Sequence, residues 1–299
     1  MNLKIWLLET RPHFLLLTPV CTFTGIAAAL YDAYPFNWLY FILAFIGALF
    51  AHISVNVLND YFDYKSGIDL KAKRTPFSGG SGILPSGMLD PKKVYFFGIT
   101  CLFLVLLIGI YFLLVYQLAM LPIVILGILL VFSYTPYITK LPGITELLGP
   151  GLGFGLVVLG IYFTQTGGYS ITAIVVSIIA GVFVANLLLL NEFPDVEADR
   201  SAGRKHLPII LGREKAAKVY CSLTGLAYII ITVGVILSAL PLFGLLSLIT
   251  LPLGIKTMKG VLNYHSQIDS LIPYLATNVF LILLTPFCLS VGLIASIYF

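Results

Sequence analysis

Between Trp38 and Asp63 the chain reads WLYFILAFIGALFAHISVNVLNDYFD. Residues 38–58 contain no Asp, Glu, Lys or Arg. At about 1.5 Å of rise per residue they are long enough to cross the ~30 Å hydrocarbon core of a bilayer. They stop on Asn59-Asp60-Tyr61-Phe62-Asp63. An apolar run that ends on acids reads as a membrane-spanning helix with its chemistry at one end.

On either side lie runs of the same kind, at 13–31, 94–115, 118–135, 145–165, 171–190, 217–239, 241–257 and 272–298. Turn signals separate them: Pro35, the stretch from Gln117 to Pro122, Gly167-Gly168 and Pro241. The expected fold class is all-α, a polytopic membrane protein of nine transmembrane helices within one domain, 1–299. Composition agrees. The 299 residues are 59% hydrophobic and 10% charged, and the mean hydropathy is +1.02. A soluble domain carries about 25% charged residues, so this chain cannot coat a water-facing surface. Disorder is excluded by the apolar content, and a β-barrel by runs that do not alternate. Cys21, Cys101, Cys221 and Cys288 stand singly and read as small buried hydrophobes.

All 17 Lys and Arg fall on the N-terminal segment or on the loops after the even-numbered spans. Cationic side chains resist translocation, so these loops and the N-terminus are expected in the cytoplasm of a multi-pass cell-membrane protein, with the C-terminus outside. Of the 13 Asp and Glu only Asp32 falls on an outer loop.

The acidic corner occurs twice. Asn191-Glu192-Phe193-Pro194-Asp195 repeats the order Asn, acid, aromatic, any residue, Asp at an offset of 132. The offset persists from Lys73 to Lys205, Pro76 to Pro208 and Gly80 to Gly212. This predicts two four-helix repeats, about 1–135 and 136–257, plus a ninth helix over 272–298. Asn59 and Asp63 share a helix face, and Asn191, Asp195 and Asp199 follow at i, i+4, i+8. Asp60, Asp69, Glu192 and Glu197 stand close by. Carboxylates so crowded are tolerable only beside cations. Carboxylate and amide oxygens are hard ligands, and few of them per site suits Mg2+. Interleaved bases, Lys65, Lys73, Arg74, Arg204 and Lys205, suit an anion bridging the metals, so a diphosphate clamped by two metal sites is expected.

These residues resemble the UbiA-type intramembrane prenyltransferases, whose NDxxDxxxD motif follows the second helix and whose DxxxD motif follows the sixth. Here the first appears as Asn59-Asp60-Tyr61-Phe62-Asp63 and the second as Asp195-Val196-Glu197-Ala198-Asp199. Gly67 stands where the third acid of the first motif belongs, and Asp69 is the next acid. The stretch from Asn59 to Asp69, Phe77-Ser78-Gly79-Gly80-Ser81-Gly82 and Arg11-Pro12-His13 look most like the menaquinone-forming, dihydroxynaphthoate-prenylating branch.

The resemblance implies an enzyme that transfers a polyprenyl group from a polyprenyl diphosphate to an aromatic acceptor within the lipid bilayer, with Mg2+ as cofactor and no nucleic acid as partner. It implies catalytic and metal-ligating roles for Asn59, Asp63, Asp195 and Asp199, with Asp60 and Asp69 as further ligands. Arg74, Lys140, Tyr134, Arg204, Lys205, Asn191 and Lys73 would bind substrate, and Glu146 would touch the acceptor. Dihydroxynaphthoate is the favoured acceptor; 4-hydroxybenzoate, a glyceryl phosphate and a tetrapyrrole are the alternatives. His13, His52, His206 and His265 form no ligand set. A secondary transporter is the rival class, but transporters place such acids near the midplane, whereas these sit at one helix end.

Overall fold

The computed structural model describes residues 2–70 and 74–299. Lys73 lies outside the described residues. The helices are α1 (Leu3–Glu9), α2 (Leu17–Tyr31), α3 (Trp38–Ser66), α4 (Pro91–Tyr116), α5 (Leu121–Ser133), α6 (Leu152–Thr166), α7 (Ile171–Asn191), α8 (Val196–Ser201), α9 (Leu207–Leu211), α10 (Arg213–Ile236), α11 (Leu251–Tyr264) and α12 (Ile268–Ala295).

Local chemistry sets these ends. Asn37 caps α3 by accepting the Tyr40 N–H, Asp90 caps α4 by accepting the Lys93 N–H, and Ser170 caps α7 by accepting the Ala173 N–H. Gly67 and Gly167 close α3 and α6 in the left-handed region, at φ of 78° and 71°.

Eight apolar segments among the described residues are long enough to cross a membrane, and one of them, Pro91–Ser133, is 43 residues long. That one is two helices. Gln117 turns the chain at φ 55°, and α5 folds back so that Val124 lies 2.8 Å from where a Cβ on Gly109 would stand. Each expected span therefore has a helical counterpart. α3 continues past residue 58 to Ser66 and carries the first acidic corner on its last two turns. The span expected at 241–257 begins as a 3-10 helix, Leu242–Thr250, and runs on as α11.

α2, α6, α7, α10 and α12 share the largest buried core, which includes Tyr162, Phe183, Ile231 and Leu289. Two crossings are backbone-close. A Cβ on Gly25 would lie 2.5 Å from the Val158 carbonyl oxygen, and one on Gly181 would lie 2.6 Å from that of Gly151. Such small-residue crossings let membrane helices gain van der Waals contact where lipid supplies no hydrophobic drive. Gly181→Val is expected to cost about 1–3 kcal/mol through overpacking, read as a lower thermal midpoint in detergent. All four cysteines are free, Cys21 and Cys101 fully buried.

Between the helices of the first half, with α6 and the end of α7, lies a cavity of about 660 Å³. Its charged lining residues gather at one end, beside the ends of α3 and α7, and the remainder of its wall is mainly apolar. The lining stops at His206, so α9 to α12 contribute nothing to it.

Candidate active site

The first corner is built by the end of α3. Asn59 donates to Asp63 Oδ2 at 3.0 Å and to Thr135 Oγ1 at 3.2 Å. Arg11 donates to Asn59 Oδ1 at 3.0 Å and forms an ion pair with Asp60. Gly67 then reverses the chain into a short turn, Ile68–Leu70, which buries Asp69. The displaced acid therefore still reaches the site. Asp69 Oδ1 and Asp60 Oδ1 both face Gly80, 3.1 and 3.2 Å from where its Cβ would be.

The glycine-rich stretch closes over this corner with Gly79, Gly80 and Gly82 all at positive φ. The Ser81 N–H is donated to Asp60 Oδ2 at 3.2 Å, and the Ser81 hydroxyl to Glu9 at 2.9 Å. The Gly79 N–H reaches Asp195 Oδ2 at 3.1 Å. One loop thus joins both acidic corners and lines the cavity between them.

The second corner departs from the expected i, i+4, i+8 helix face. α7 ends at Asn191, and residues 192–195 form a turn before α8. Pro194 lacks the N–H an unbroken helix needs and disfavours helical geometry in the residue before it. The break swings Asp199 inward, where it is buried. Its Oδ1 accepts from Arg204 Nη1 at 2.9 Å, and its Oδ2 lies 2.7 Å from His206 Nε2. The same guanidinium pairs through Nη2 with Asp63. Arg204 therefore links two carboxylates that lie far apart in sequence.

Residues 18–270 match the UbiA prenyltransferase family. The chain belongs to that family. It is 26% identical over 300 residues to the 1,4-dihydroxy-2-naphthoate octaprenyltransferase of Bacillus subtilis, covering 98% of this chain and 93% of that protein. It is 28% identical over 310 residues to the protein of the same name from Haemophilus influenzae, covering 98% and 96%. In fold it is similar to a UbiA homolog from Archaeoglobus fulgidus solved bound to GPP and Mg2+, with a TM-score of 0.60 and 17% identity over 97% of this chain and 99% of that one.

In this UbiA-family chain burial dominates the electrostatics of the two corners. Desolvation, then the neighbouring Asp199 carboxylate, pushes Asp195 up to about 7. Desolvation, then Asp63, raises Asp69 to about 6. Glu192 is raised well above the usual carboxylate range by burial and then by Glu146. For Arg204 burial works against the charge, but Asp63 and Asp199 outweigh it and the net direction is up.

Of the residues expected at the site, Asn59, Asp63, Asp69, Arg74, Tyr134, Asn191, Asp195, Asp199 and Arg204 all line the cavity. Asp60 does not, being taken up by Arg11 and Ser81. The side chains of Lys140 and Lys205 are exposed and neither lines the cavity. The backbone of Lys205 is tied to Thr139 and Gly143, which leaves its side chain outside. Glu146 is buried but accepts the Leu207 N–H at 2.7 Å and lies off the cavity wall.

His206, set aside from sequence, is in fact a buried partner of Asp199. Arg11 and Glu9 were also missed as site residues. The signal for Arg11 was its place before Pro12 among apolar residues, and the structure holds it at a φ of 53°, rare for a residue with a side chain.

Mg2+ suits the oxygens present. Asn191 Oδ1 and Asp69 Oδ2 are buried without a hydrogen-bond partner, and both residues line the cavity beside Asp63 and Asp195. Unpartnered hard oxygens are what a small divalent cation satisfies. Among the described residues no three His, Cys, Asp or Glu converge into a ready-made cage. An ion here would take the rest of its shell from amide oxygen, water or phosphate, the usual habit of Mg2+.

Proposed function

We propose that this enzyme transfers a polyprenyl group from a polyprenyl diphosphate to a dihydroxynaphthoate-like aromatic acceptor, with its acidic corners on the cytoplasmic side of the membrane. The observation that carries the reading is Arg204, paired with Asp63 and Asp199 at the charged end of an otherwise apolar cavity. The relatives named as dihydroxynaphthoate octaprenyltransferases support the acceptor. The one-sided distribution of Lys and Arg supports the orientation, and the 132-residue offset supports two fused four-helix repeats.

Asn59, Asp63, Asp195 and Asp199 would hold Mg2+, with Asp69 and Asn191 adjoining; when bound, the ion supplies positive charge to a departing diphosphate. Arg74 and Arg204, both on the wall at this end, hold the anion. The allylic C–O bond breaks and its electron pair leaves with the diphosphate. The electron-rich ring carbon of the acceptor then forms the new C–C bond, and the ring loses a proton. The apolar wall keeps water from the allylic cation, and Phe14 and Phe154 offer π faces on the same wall. A transporter has little use for a cavity whose charges all gather at one end.

Purified protein should convert a radiolabelled prenyl diphosphate to prenylated naphthoate only with Mg2+ present, and faster than it prenylates 4-hydroxybenzoate. A preference for 4-hydroxybenzoate overturns the acceptor, and absence of product from every aromatic acceptor overturns the reading. Because burial and the neighbouring Asp199 push Asp195 up to about 7, an ion held there would displace a proton below that pH. The half-saturating Mg2+ concentration is expected to rise as pH falls from 8 to 6, approaching about tenfold per unit below 7. A titration of activity against Mg2+ at several pH values checks it.

A further inference from the structure

Below the charged rim the cavity is walled by helix faces, and two glycines leave its walls bare. On α3 the lining runs from Asn59 down to Ala44, fifteen residues or about 22 Å of helix. On α5 the residues Val131, Ile128, Gly127, Val124 and Ile123 share one face, with Tyr134 just past one end of the helix and Met120 just beyond the other. Phe112 and Met120, both buried, line the far end. Gly127 lies seven residues below Tyr134 and seven above Met120, about 10 Å from either. A Cβ on Gly127 would meet nothing within 4 Å, and the same holds for Gly153 on α6.

We infer that Gly127 admits prenyl chains longer than two isoprene units, by keeping open the half of the cavity that receives the third and fourth units. The inference rests on the proposed prenyl transfer. Carbon–carbon bonds of about 1.5 Å advance an extended chain roughly 1.25 Å per carbon, or about 5 Å per isoprene unit of four main-chain carbons, so about 22 Å holds roughly four units. The first two units occupy the rim half, about 10 Å deep, above Gly127. Units beyond the fourth lie outside the enclosed volume. The chain arrives from lipid as apolar as the wall, so shape rather than hydrophobic transfer decides which lengths are accepted. A side chain grown at residue 127 projects into the deeper half and excludes the third and fourth units while sparing the first two.

The experiment compares a ten-carbon with a twenty-carbon prenyl diphosphate, each with the same aromatic acceptor, in wild type and in Gly127→Ala, Gly127→Val, Gly127→Leu and Gly127→Phe. Gly225→Phe is the control, because a Cβ there also meets open space and Gly225 is not on the cavity wall. The ratio of kcat/KM for twenty over ten carbons is expected to fall in step with side-chain size, by at least about tenfold at Phe. It should not change in Gly225→Phe. Should the largest variant misfold, the graded members report the same trend. A ratio that stays constant along the series, or that falls equally in the control, overturns the inference while leaving prenyl transfer intact. A wild type that turns over neither probe overturns both.

Discussion

Asp63→Ala and Asp195→Ala should each abolish prenyl transfer while the protein stays folded. Each carboxylate stands on one of the two corners, and the loop from Gly79 to Ser81 joins them. Each carboxylate would help hold the cation that stabilises the leaving group, and losing one such electrostatic contact costs about 10²–10³ in kcat. Asp195→Ala should change stability little, whereas Asp63→Ala takes one buried partner from Arg204 and should lower the thermal midpoint. The Asp195 side chain accepts from the Gly79 N–H and from the Ser78 side chain, and the loss of these bonds is offset by relief of burial and of repulsion from Asp199. Asp195→Asn keeps an acceptor for that N–H but removes the charge, and should be nearly as inactive. Turnover at the wild-type level in Asp63→Ala or Asp195→Ala, measured with intact protein by size-exclusion chromatography, would contradict the assigned chemistry.

Arg204→Ala should be the most destabilising single change at the site. The guanidinium is largely buried and pairs with Asp63 and Asp199 together. Removing one partner of a buried ion pair typically costs about 3–5 kcal/mol because the other charge is left uncompensated. Added Mg2+ should therefore raise the thermal midpoint of Arg204→Ala more than that of the wild type, the ion taking over the neutralising role. Arg204→Lys should fall between them, since an ammonium is a point charge that cannot fork onto two carboxylates. A wild-type midpoint in Arg204→Ala without Mg2+ would show that the pairing contributes nothing.

Much of this architecture is legible in the sequence because a membrane imposes a simple rule: apolar runs of fixed length, with cations kept to one side. The corners themselves are legible because acids are costly at a membrane boundary, and two matching clusters therefore stand out. What escapes a linear reading is contact across the chain. Arg204 meets Asp63 over 141 positions, and Gly79 meets Asp195 over 116. Lys205 looks equivalent to Arg204 as a basic residue beside an acidic motif, yet backbone ties leave its side chain outside the cavity wall, and Lys140, on the loop after α5, is exposed as well. Pro194 was visible, but a regular spacing of polar residues masked its effect on the helix. His206 gave no signal, since its meaning comes only from the turn that brings it back to Asp199.

Every residue on the cavity wall lies before Leu207. During synthesis every residue of the cavity wall is therefore polymerised before the last three long helices exist. Those helices complete the buried core shared with α2, α6 and α7, so a nascent chain ending there would own all its walls but lack the buttress that holds them in register.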